Sequence, residues 1–135
     1  MPADGFRWLL ALVVAAHGIG QVLIMHVLSA NMGLVVSGRS LLLTPLLGDG
    51  IVRLVASAVA AAVLIGFVVA TGGYLARAAW WRTLVVASAI ASAALIVAMW
   101  DGLPRSSAVF ALGFDVLAVA ALVIAHWPAD QPLEA

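Results

Sequence analysis

Apolar residues run along this chain in four stretches, covering residues 6–30, 51–75, 82–100 and 107–127. Each is long enough to cross a hydrocarbon core, which takes about 20 helical residues. The breaks between them are chemically legible. Asp101-Gly102-Leu103-Pro104-Arg105 is a tight turn in which Gly and Pro stop one helix before the next. Ser106 or Ser107 is then placed to cap the fourth helix. Residues 76–81 form a connector so short that the helices on either side must run antiparallel. Pro128 and Pro132 end the last helix and leave a polar tail.

The longest connection, residues 31–50, is not an ordinary polar loop. It carries Leu34-Val35-Val36 and then Ser40-Leu41-Leu42-Leu43-Thr44-Pro45-Leu46-Leu47. Such a segment is too short to span and too apolar for water, so an interfacial or re-entrant helix is expected. The pattern predicts an all-α membrane protein: one domain, residues 1–135, folded as an antiparallel four-transmembrane-helix bundle with that short segment between its first two helices.

Composition strengthens this reading. Of 135 residues, 66% are hydrophobic and 9% charged, whereas a soluble domain is nearer half apolar and a quarter charged. Mean hydropathy is +1.22, an excess that a soluble core of this size has no room to hide. Six arginines balance six acids, so charge gives no reason to expect a nucleic-acid partner. The absence of cysteine removes disulfides, thiol redox chemistry and thiolate metal sites. Arg7 precedes the first apolar run, as in a secretory signal. That run is longer than the roughly 7–15 residues of a cleavable signal and contains His17 and Gln21, so it reads as a retained span.

Aromatic and basic residues suggest how the spans sit. Trp8, Tyr74, Trp80, Trp81 and Trp127 fall at the end shared by the termini, and Trp100 at the other, as expected of rings at headgroup level. Arginines divide three and three between the two ends. Arg77 and Arg82 flank a very short loop, where positive charge counts most, which places both termini in the cytoplasm of a cell whose plasma or inner membrane holds the chain. Small residues at four-residue spacing, such as Ser57 with Ala61, Ala62 with Gly66, and Ser88 with Ser92, serve either packing within the bundle or association with other subunits or a second copy.

Polar residues inside the spans are the candidate chemistry. An ionisable group there costs at least about 2.5–3.5 kcal/mol on insertion scales, so it faces the interior and a partner. His17 and Gln21 lie one turn apart on one face, with Gly18 and Gly20 beside them removing side-chain bulk. Counted from the terminal side at 1.5 Å per residue, they sit at depths of about 16 and 22 Å, and Asp115 at about 18 Å. The three meet if the first and fourth helices adjoin. Arg53, nearer the opposite end of the second helix, either reaches to the headgroups or turns inward to neutralise Asp115. The cluster is either a structural hydrogen-bond network or a site that relays protons or binds a polar head group such as a quinone. Haem or metal fits poorly: His17 and His26 are nine residues apart and point to opposite faces of one helix, and His126 lies at another depth.

Arg7-Trp8-Leu9-Leu10 leading into Ala16-His17-Gly18-Ile19-Gly20, together with the apolar first loop and the four-span layout, resembles the DoxX-like group of small bacterial membrane proteins. The resemblance extends over the whole chain in architecture, through a short motif. It implies a link to quinone-coupled sulfur oxidation or an accessory role in a membrane oxidoreductase complex, with His17 and its neighbours facing a quinone or another subunit. Gln21 stands where a basic residue is expected in that group. Three functions are open at this point. The chain is an accessory or scaffold subunit without chemistry of its own, a quinone-coupled oxidoreductase component using His17 and Asp115, or an oligomeric transporter of protons or small molecules.

Overall fold

The computed structural model describes residues 3–30 and 39–128, and these contain helices and turns but no strand. Among the described residues four helices are long and apolar enough to cross a membrane, consistent with a multi-pass membrane protein. α1 spans Ala3–Ala30, α3 Asp49–Leu75 and α4 Trp81–Ala98. The fourth is α5, Arg105–Val119, which continues into a π-helical turn over Ala120–Ile124. A short α2, Thr44–Leu47, precedes α3.

The helix ends follow local chemistry. Past α3, Arg77 takes a left-handed φ of 56° where glycine is commoner. Ala78 N–H then donates to Gly73 O at 2.9 Å and Arg77 N–H to Tyr74 O at 3.1 Å, the two bonds of a Schellman turn. The α4–α5 junction departs from the sequence expectation. Neither Ser106 nor Ser107 caps α5: Leu103 is extended, Pro104 at φ −58° occupies the N-cap, and the helix starts at Arg105 without a side-chain cap bond. A proline fixed near the helical φ nucleates the helix earlier than a serine cap would, with Ala108 N–H donating to Pro104 O.

Consecutive long helices pack side by side: α1 along α3, α3 along α4, α4 along α5. Two apolar clusters fill the interior. One, around Val52, Ala56, Ile96, Met99 and Leu103, lies by the α4–α5 turn. The other, around Val14, Val63, Phe67, Trp81 and Val85, lies toward the far end of the helices. Glycines set the closest approaches. A Cβ on Gly18 would stand 2.7 Å from Phe67 Cβ, and one on Gly66 would stand 2.2 Å from Ser88 Oγ. Ser88, Ala89 and Ser92 are buried, so these small residues serve packing inside the chain, whereas Ala62 is exposed. The two middle spans are 33% and 39% buried, but the first and last only 17% and 11%, leaving their apolar outer faces open.

At one end the start of α1, the end of α3, the start of α4 and the end of the last helix come together. Phe6 meets Trp127 edge-on at 5.4 Å, and Tyr74 meets Trp81 at 4.8 Å. Arg7 donates to the backbone carbonyls of Tyr74 and Leu75, and Arg82 to that of Pro128. The last-turn carbonyls of α3 carry partial negative charge, which suits the Arg7 guanidinium.

Of the segment expected at the membrane surface, residues 31–38 lie outside the described residues. The remainder is pinned by Ser40, whose hydroxyl donates to Ala98 O at 2.6 Å and accepts from Leu43 N–H at 3.0 Å. Leu41, Leu42 and Leu46 project outward from it, each more than 70% exposed. An apolar comb of this kind is stable against lipid and costly in water.

Candidate functional site

His17 and Asp115 come together from opposite ends of the sequence. Each lies near the middle of its helix, 98 residues apart along the chain, and His17 Nε2 stands 2.8 Å from Asp115 Oδ1. The Asp115 side chain is 1% exposed and that of His17 is 10% exposed. Asp115 is the buried end of the pair and His17 the accessible one. Two phenylalanines fix the imidazole. Phe114 stacks on it at 3.9 Å and 19°, and Phe67 abuts it edge-on at 4.9 Å and 89°. With one face covered and one edge blocked, the ring has little freedom to swing away from the carboxylate.

Gln21, one turn further along α1, is buried at 1% exposure and donates through Nε2 to Ser92 Oγ on α4 at 3.0 Å. Interhelical hydrogen bonds of this kind contribute on average about 0.6 kcal/mol in a membrane protein and at most about 1.7 kcal/mol. Holding the helices together is therefore a small return for burying three polar side chains. Two of their atoms, Gln21 Oε1 and Asp115 Oδ2, are buried without a hydrogen-bond partner among the described residues. Buried polar atoms are nearly always paired, so each such exception calls for an explanation.

Open space lies beside two of the three side chains, His17 and Gln21. A partly open cavity of about 210 Å³ separates α1 from α5. Ala16, His17, Gly20 and Gln21 line it from α1, Ser107, Ala108 and Ala111 from α5, with Ile96 behind and Leu103 and Pro104 at one end. The small residues make the space. Gly20 has nothing within 4 Å of where its Cβ would be. A cavity of roughly 150 Å³ accepts benzene, so this one has room for a substituted six-membered ring, while whole drug-sized ligands need roughly 300 Å³ or more. Mostly apolar walls with a few polar groups converging at one place are the ordinary makeup of a small-molecule site.

Of the four residues marked out by sequence, His17, Gln21 and Asp115 gather here, and Arg53 does not. Its neighbour Val52 belongs to the apolar cluster that includes Leu103 and Ala108. Ala108 is seven residues before Asp115, roughly 10 Å along the helix. Among the described residues the ion-pair partner of Asp115 is His17. Sequence reasoning overlooked Phe67, Phe114, Ser92 and Ser107 as site residues. Phe114 adjoins Asp115 in sequence, but its stacking depends on how α5 is rotated against α1. Ser92 carried only a packing signal. His126 is exposed at φ 48°, away from the pair, and the side chain of His26 lies outside the described residues. No group of three or more metal-ligating side chains occurs among the described residues.

Compared with protein-family models, curated proteins and solved structures, the chain matches none of them. Function is therefore read from the site itself.

Proposed function

We propose that this chain is a small inner-membrane subunit of a larger oxidoreductase complex, in which the slot between α1 and α5 receives a quinone-type ring and the His17–Asp115 pair exchanges a proton with it. In this reading the four helices lie antiparallel across the bilayer with both termini cytoplasmic, and the Ser40-anchored leucines rest at the opposite surface. The observation that carries the proposal is the imidazole of His17, held by two phenylalanines and a buried carboxylate, at the wall of a ring-sized apolar cavity. Imidazole is the side chain that changes charge near neutral pH, so one hydrogen-bonded to a carboxylate is suited to accept a proton and return it. The apolar walls take up the ring, and the chain's part is to hold the head group and move its proton, with electrons passing to or from another subunit. The resemblance to the DoxX-like group points the same way.

The test is gentle purification from native membranes, followed by mass spectrometry of the lipids and proteins that accompany the chain. Wild type is expected to carry a quinone-type lipid and an oxidoreductase subunit. His17→Ala is expected to keep the subunit and lose the lipid severalfold, the loss of one hydrogen bond of about 1 kcal/mol. A wild-type preparation without such a lipid, or equal amounts in both, would count against the proposal.

A further inference from the structure

The two orphaned atoms are of one chemical kind. Gln21 donates through its Nε2 to Ser92 and so leaves Oε1 as an acceptor; Asp115 takes His17 on Oδ1 and leaves Oδ2 as an acceptor. Gln21 and His17 line the slot one helical turn apart, whereas Asp115, bonded to His17, is not among the residues lining it. Both residues that carry the orphaned atoms are 1% exposed. Hydrogen bonds have a direction. A quinone carbonyl has lone pairs and no hydrogen to give, so it leaves these oxygens unpaired, whereas a ring hydroxyl supplies what each lacks.

Building on the reading of the slot as a quinone-type site, we infer that it selects the hydroxylated, reduced form of the ring, and that Gln21 is the residue that enforces the choice. A hydroxyl of the ring donates to Gln21 Oε1, the orphaned acceptor on a residue that lines the slot. Sites built to bond a hydroxyl discriminate strongly against analogues lacking it, because their own polar atoms are then left buried and unpaired. Gln21 in this role is a specificity residue for the ligand's hydrogen count; its bond to Ser92 orients the amide so that the carbonyl oxygen is the atom left for the ligand.

Three small probes decide it, measured by equilibrium binding to the full chain in lipid nanodiscs and corrected for partition into protein-free discs. They are tetramethylhydroquinone, the corresponding quinone and the corresponding dimethyl ether, which share a ring and differ in hydrogen-bond donors. The hydroquinone is expected to bind at least about tenfold more tightly than the other two. In Gln21→Leu that preference is expected to fall severalfold, with helix content by circular dichroism unchanged. Wild type that binds the quinone as tightly as the hydroquinone, with both lost in His17→Ala, overturns the selectivity and leaves the ring site standing. Binding of none of the three overturns both. The wild-type comparison needs no variant, so poor folding of Gln21→Leu cannot obscure the answer.

Discussion

The two sides of α1 differ sharply. On one side Gly18 sits so close to α3 that an added methyl group would fall 2.7 Å from Phe67 Cβ. On the other, Gly20 looks into open space, and a cavity of about 210 Å³ separates α1 from α5. Two glycines two residues apart thus do opposite jobs, one drawing backbones together and the other keeping them apart. A bundle under selection for stability alone would gain by filling the second space, since an exposed helical glycine costs about 1 kcal/mol relative to alanine. The polar pair bridging this loose side, with Asp115 Oδ2 unpaired and Gln21 Oε1 unpaired one turn along α1, fits a seam arranged around a ligand better than a seam arranged for strength.

Leucine at these positions should break the comparison from its tight side first. Gly18→Leu forces α1 off α3 at Phe67 and should lower stability by at least about 1–3 kcal/mol, the usual penalty of overpacking. Chemical denaturation in detergent, followed by circular dichroism, reads it. Asp115→Asn tests the loose side: it keeps an acceptor for His17 Nε2 and should cost no more than about 0.6–1.7 kcal/mol in the same assay. Proton exchange with a bound ring should nevertheless be lost, seen as absent turnover in the reconstituted complex. A stability loss as large as that of Gly18→Leu would make the pair a structural clamp. Gly20→Leu should have the smallest effect on stability, neutral or a gain of up to about 1 kcal/mol, because an added Cβ meets nothing within 4 Å and helix propensity rises.

Much of the architecture was legible in the chain. Four long apolar runs identify four helices because a lipid-sized stretch of apolar residues has few other solutions, and His17 and Gln21 share a face by helical period alone. Asp115 came within reach by depth counting, which depends only on rise per residue. What was not legible depends on rotation and on neighbours. Nothing in the alternation of Ala, Gly and Ser around Gly66 and Ser88 says that these meet each other, because every helix here offers small residues on more than one face. Arg53 had two readings for the same reason: its reach covers several faces, and only the fold says which group takes Asp115. The misassigned cap at Ser106 or Ser107 has a local cause, a proline whose fixed φ starts α5 ahead of both serines.

The most direct test of the central claim is ring binding to the Gly20→Leu protein. The account predicts a chain at least as stable as wild type whose affinity for tetramethylhydroquinone in nanodiscs falls by at least about tenfold, since the new side chain occupies the slot beside His17. A folded Gly20→Leu protein that binds the ring as wild type does would contradict it, and would leave the cavity between α1 and α5 without a role in binding.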